Sequence, residues 1–166
     1  MRVAIIMGST SDLPKVEPAV SILKDHGVTV DVRCLSAHRA HAGLSAFIKE
    51  TNANGTEVII AAAGMAAALP GVIAASTTLP VIGVPIRSSF DGMDSLLAIV
   101  QMPPGIPVAT VGVNGALNAA ILAAQILATG DNTIADKMEN YKSSLTDKIV
   151  KANEELSKIE YKFKTN

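Results

Sequence analysis

The chain has 166 residues, with 14 basic and 15 acidic side chains, a formal net charge of −1, no Trp and a single Cys. One compact domain accommodates that length, and a balanced charge with no basic stripe excludes nucleic-acid polymers and anionic membranes as partners. Hydrophobic residues make up 49% of the chain, but no apolar run reaches the roughly 18 residues of a membrane span. The surplus is expected in a dense core or in subunit contacts.

The N-terminus runs directly into Val3-Ala4-Ile5-Ile6-Met7. One Arg before five apolar residues is too short for a secretory signal, so a cytoplasmic protein is expected. Val3 to Met7 reads as a buried parallel strand. The turn Gly8-Ser9-Thr10-Ser11-Asp12 follows it, and a helix over Leu13 to Asp25 places Val16, Val20 and Leu23 on one face. Gly8 permits a tight turn, Ser9 and Ser11 offer hydroxyls, and the helix start offers free N–H groups, which together suit a phosphate. Asp12 repels a phosphate but suits sugar hydroxyls. An ordinary helix cap by Ser11 or Asp12 explains the same residues equally well. His26, at the end of this helix, is expected only to favour the helix C-terminus.

A second strand is expected over Val28 to Cys34, with Cys34 read as a small buried hydrophobe in a reducing compartment. After it come Ser36-Ala37-His38-Arg39. Arg39 offers a fork for a phosphate, and histidine is the side chain that titrates near neutral pH. Ala40 to Asn52 has helical spacing of Leu44, Phe47 and Ile48. A third strand, Val58 to Ala62, leads into Ala63-Gly64-Met65-Ala66-Ala67-Ala68-Leu69, where small residues let the backbone approach a flat ligand in a dry pocket. Tight helix packing is as natural a reason for these alanines. A short helix is expected over Ala66 to Ser76, then a strand over Val81 to Val84. The loops Pro85 to Ser95 and Gln101 to Pro107 are both candidates for a cleft wall. A helix over Asp94 to Val100, a strand over Val108 to Val111 and an apolar helix over Asn114 to Thr129 follow.

Gly130 ends that helix and Asp131 can cap another, whose stripe is Ile134, Met138, Tyr141, Leu145 and Ile149. The lysine-rich tail after Ser157 is expected to fray. Strand and helix alternate five times, which predicts a three-layer α/β sandwich around a five-stranded parallel sheet of flavodoxin-like order, with an extra C-terminal helix. Residues 1–130 are read as the catalytic domain and residues 131–166 as its helical extension. No Cys, His and carboxylate set has metal-ligand spacing, so no metal site is expected.

Several of these segments, in order, resemble one family: the N5-carboxyaminoimidazole ribonucleotide mutases, in their bacterial class I form. The resemblance is carried by Met7-Gly8-Ser9 with Ser11-Asp12, Ser36-Ala37-His38-Arg39, Leu69-Pro70-Gly71 and Gly83-Val84-Pro85. It continues through Asp94-Ser95-Leu96, Ile99-Val100-Gln101-Met102-Pro103, Gly105-Ile106-Pro107-Val108 and Asn118 to Leu127. It implies a flavodoxin-like subunit of a homo-octamer that acts on a ribonucleotide in purine biosynthesis with neither metal nor organic cofactor. It also implies His38 as general acid and base, with Ser9, Asp12 and Arg39 on the nucleotide. The animal-type carboxylases that the family resembles carry lysine at the position of Arg39, so Arg39 favours a mutase.

The chain departs from the family pattern in two places. Ala68 stands where members carry a second active-site histidine, and Ala40-His41 replaces a Thr-Pro pair. Other readings therefore stay open: a carboxylase acting on a related ring or directly on aminoimidazole ribonucleotide, and a catalytically weakened nucleotide-binding homologue. A swing of His41 into the place of the missing ring is not expected, because it follows Arg39 by only two positions at a helix start.

Overall fold

A computed structural model describes residues 1–160. Five parallel strands form one sheet in the order β2-β1-β3-β4-β5, where β1 is Arg2–Met7, β2 Thr29–Cys34, β3 Val58–Gly64, β4 Val81–Ile86 and β5 Ala109–Thr110. The helices are α1 Leu13–Asp25, α2 His41–Thr51, α3 Leu69–Ala74, α4 Met93–Val100, α5 Ala116–Ala128 and α6 Asn132–Leu156.

Alternation along the central strands builds both outer layers. Val3, Ile5, Val58, Ile60, Ile82 and Val84 point to the face covered by α1, α5 and α6. Ala4, Ile6, Ile59, Ala61 and Val81 point to the opposite face, where Leu44 and Phe47 of α2, Ile73 of α3 and Ile99 of α4 close over them. Each fully buried Ile or Val stabilises the fold by about 1.5–3 kcal/mol. β1, β3 and β4 are covered on both faces, which is why their sequences are unbroken apolar runs.

Four expectations are corrected. β2 is an edge strand paired only with β1, and it is mostly half-buried or exposed rather than buried. Asp31 and Arg33 bridge each other along it at 3.0 Å, which suits an edge. Cys34 at its end is exposed, because only one neighbouring strand covers it. The fifth strand shrinks to Ala109–Thr110. α3 starts at Leu69 rather than Ala66, because Met65 (φ 56°) and Ala67 (φ 42°) take left-handed conformations that interrupt helical winding.

The last helix divides in two. The Asp131 side chain caps it by accepting from the Ile134 N–H at 3.0 Å, and Ile134 and Met138 are buried against the domain. Further along, Leu145, Ile149, Val150 and Leu156 are exposed. α5 is largely taken up inside its own chain by the sheet, α1 and α6, and leaves Leu117 as its exposed large hydrophobe. The frayed tail expected after Ser157 falls mostly on residues 161–166, outside the described residues. No described helix is long and apolar enough to cross a membrane.

Candidate active site

The chain leaves β1 through α1 towards β2, then crosses back over β1 through α2 to reach β3. α1 and α2 lie on opposite faces of the sheet. The loops after β1 and β3 therefore part in opposite directions, and a crevice opens at the C-terminal ends of the strands. A cavity of about 540 Å³ occupies that crevice.

Its lining brings together every residue singled out above as catalytic or substrate-binding: Gly8, Ser9, Ser11 and Asp12 after β1; Ser36, Ala37, His38 and Arg39 after β2; and Ala63, Gly64, Met65, Ala68 and Leu69 around the end of β3. It also includes Lys15, Ala66, Ala67, Ile86, Arg87 and Ser88. Of the two loops proposed as walls, only the start of Pro85 to Ser95 reaches the cavity. The Gln101 to Pro107 segment does not line it, and its Gly105, Ile106 and Pro107 line a second cavity with Pro80 and Val81, at the start of β4. The segment joins a helix to a following strand, and such connections lie at the strands' N-terminal ends, away from the crevice. His41 is exposed at the start of α2 and lies outside the cavity lining.

The turn after β1 is held by its own serines. Ser9 caps a short 3₁₀ turn (Thr10–Asp12), accepting from the Ser11 N–H at 3.3 Å and the Ser11 hydroxyl at 2.8 Å. Asp12 is the N-cap of α1 by position, yet its side chain makes no capping bond. The competing reading as a cap thus goes to Ser9, and the Asp12 carboxylate is left for other work. From β2, Arg39 reaches back to this turn, its Nη2 donating to the Gly8 carbonyl at 3.1 Å, while its backbone N–H donates to the Ser36 hydroxyl at 3.3 Å. This ties the His38 loop to the serine turn. His26 lies elsewhere, its Nδ1 2.7 Å from the Ile22 carbonyl at the C-terminus of α1, the structural role expected for it.

Asp12 is buried, and that burial holds its carboxyl above the ordinary value, while the positive charge of Lys15, one helical turn on, pulls it part of the way back. Folding therefore favours the protonated form. The stabilisation this gives is complete below the unfolded-state pKa and is lost as pH rises through the folded-state value, so at neutral pH the group weighs against the native state. Asp12→Asn is expected to raise the melting temperature of the unliganded protein at pH 7 and to leave it little changed in acid. Scanning calorimetry at both pH values checks this, and a lower melting temperature at pH 7 contradicts it.

Lys15, which the sequence reading missed, sits within a helix rather than in a loop. Lys15 is in the first turn of α1, and its signal was its spacing of three from Asp12, which puts both on one side of the helix start.

The comparisons with known proteins agree with this geometry. A family model described as AIR carboxylase matches residues 2–148. The chain is 52% identical over 145 residues to the N5-carboxyaminoimidazole ribonucleotide mutase of Pyrococcus abyssi, covering 87% of this chain and 83% of that protein. It is 49% identical over 157 residues to the mutase of the same name from Methanocaldococcus jannaschii, covering 95% and 98%. The crystal structure of Treponema denticola PurE superposes with a TM-score of 0.86 at 34% identity, over 93% of this chain and 98% of that one. The family match takes in the whole flavodoxin-like sheet and every loop of the cavity, so this chain belongs to the AIR carboxylase family.

Proposed function

We propose that this chain is an N5-carboxyaminoimidazole ribonucleotide mutase of purine biosynthesis, with His38 as the group that moves the proton. One juxtaposition supports the reading most. His38 and Arg39 share a cavity with a serine turn and with a wall of small, apolar side chains. Relatives that carry the mutase name are 49–52% identical across most of the chain.

Each part of the cavity has a task in that reaction. Arg39 and the hydroxyls of Ser9 and Ser11 take the phosphate. Asp12 accepts from ribose hydroxyls, which a carboxyl group with no capping bond is free to do. His38 protonates the exocyclic nitrogen that bears the carboxyl group, so the N–C bond breaks and carbon dioxide is released. The electron-rich ring carbon then attacks the trapped carbon dioxide, a C–C bond forms, and the same ring carbon loses its proton to His38. One residue gives the first proton and takes the last, so the cycle closes without a second acid, a metal or an organic cofactor. The small residues from Ala63 to Leu69 keep water away from carbon dioxide during its transit, with Ser36 and Ala37 on the opposite side. The helix Asn132–Leu156 serves as an extension of the same domain.

The direct test supplies purified protein with N5-carboxyaminoimidazole ribonucleotide and follows its conversion to the ring-carboxylated isomer. Conversion without added carbon dioxide supports a mutase. Product formed only from aminoimidazole ribonucleotide and carbon dioxide marks a carboxylase, and binding with no turnover marks a nucleotide-binding homologue.

Arg39→Ala is expected to weaken nucleotide binding about ten- to hundredfold, the value of a lost charge-assisted contact of about 1.5–3 kcal/mol. Unchanged affinity by titration calorimetry would remove Arg39 from the phosphate site. We further propose a cytoplasmic homo-octamer. Exposed apolar side chains available for subunit contacts are Met93, Leu97 and Val100 on α4, Leu117 on α5, and the far half of the α6 stripe. Light scattering is expected to give a mass about eight times the 17.2 kDa of one chain; a particle of one chain's mass refutes assembly.

A further inference from the structure

The cavity wall contributed by β3 and the loop after it is chemically bare. From Ala63 to Leu69 no side chain carries a hydrogen-bond donor. An anionic group of a ligand lying over this wall meets only backbone N–H groups, unless another element reaches in. α1 does so. Lys15 lines the cavity from the first turn of that helix, and its Nζ donates to the Arg87 carbonyl, just past the end of β4, at 3.2 Å. In the sheet order, the lysine thus spans from the helix that follows β1, past the end of β3, to the end of β4.

Arg39 stands at the other end of the crevice, after β2, with its guanidinium on the Gly8 carbonyl. Gly8 follows β1, and β1 and β4 are two strand spacings apart in the sheet, which is about 10 Å. The two cations therefore bracket the cavity from opposite ends. A third cation, Arg87, is already engaged, its Nε donating to the Asp91 carboxylate at 3.1 Å. Lys15 forms no ion pair among the described residues. Of its three N–H donors, one is on the Arg87 carbonyl and two are available. A ligand with an anion at each end fits this arrangement, and a carboxylated ribonucleotide has a phosphate at one end and a carboxylate at the other.

We propose that Lys15 binds the substrate's carboxylate, opposite the phosphate held by Arg39, and so selects carboxylated ribonucleotides over uncarboxylated ones. This rests on the function proposed above. A lysine serves here better than a donor on the β3 loop in one respect. Its long stem lets the ammonium follow the carboxylate as it moves from nitrogen to carbon, while the wall itself stays apolar for carbon dioxide.

The test measures, by titration calorimetry on the full chain, the affinity for aminoimidazole ribonucleotide and for its ring-carboxylated form. Wild type is compared with Lys15→Met, Lys15→Gln and Lys15→Arg. The expected result is a loss of about ten- to hundredfold for the carboxylated ligand in Lys15→Met and Lys15→Gln. Affinity for the uncarboxylated ligand should be little changed, and Lys15→Arg should recover part of the loss. Glutamine keeps a donor without the charge, so a wild-type preference in Lys15→Gln overturns the assignment. An equal loss for both ligands places Lys15 at the phosphate or in the scaffold and overturns it too, as does no loss for either. Wild-type protein that binds neither ligand overturns the functional reading itself, and the role of Lys15 with it.

Discussion

His38→Asn is expected to lower kcat for isomerisation by about 10²–10⁴, the usual contribution of a positioned acid–base group, while affinity for the nucleotide stays close to wild type. Asparagine keeps a planar polar side chain at the same place but cannot accept and return a proton. The neighbours that hold the loop are untouched by the change. The Arg39 guanidinium still reaches the Gly8 carbonyl, and the Arg39 N–H still reaches the Ser36 hydroxyl. A fall in kcat without a fall in affinity is therefore the signature of lost proton transfer rather than of a collapsed site. Single-turnover rates and calorimetry on the same preparation check it. Turnover near the wild-type rate would remove His38 from the chemistry.

Gly83→Val is expected to produce the largest loss of stability among simple substitutions near the site. Gly83 sits inside β4, paired with Ala61 on one side and Thr110 on the other. A Cβ there would lie 2.4 Å from Ile99 Cγ2, 3.0 Å from Val108 Cγ1 and 3.4 Å from Pro70 Cβ. Ile99 is itself fully buried, so it has nowhere to turn. Valine adds two further methyls to a space that cannot hold the first carbon. Overpacking of this kind costs about 1–3 kcal/mol, occasionally more, and each kcal/mol lowers the melting temperature of a domain this size by about 2–4 °C. Gly112→Ala is the matched control, since a Cβ there meets nothing within 4 Å. Equal melting temperatures for Gly83→Val and wild type would show that α4 and α3 can shift apart at little cost.

The site was legible wherever a loop follows a strand. The serine turn, the His38 loop and the alanine loop were all located by asking what leaves the C-terminal end of each apolar run, and the cavity lining includes all three. α1 was legible to the residue, because Asp12, Pro14 and the spacing of Val16 and Leu23 mark one start and one face. Misreadings have local causes. The run from Val28 to Cys34 was read with the buried strands although Thr29, Asp31 and Arg33 alternate with its valines, which is the pattern of a strand covered on one face only. The left-handed φ angles of Met65 and Ala67 leave no trace in periodicity, since neither residue is the usual glycine. Lys15 was overlooked because a lysine in the first turn of a helix looks like a solvated charge until the position of Arg87 is known.

Cys34 is the only cysteine in the chain, and it is exposed at the end of β2, two residues before Ser36 in the cavity wall. The unmodified protein therefore offers a thiol-reactive fluorophore one attachment point per chain, beside the loop that carries His38. The emission of such a label would report filling of the cavity in real time, and the number of labels per particle would count its subunits, without a single substituted residue.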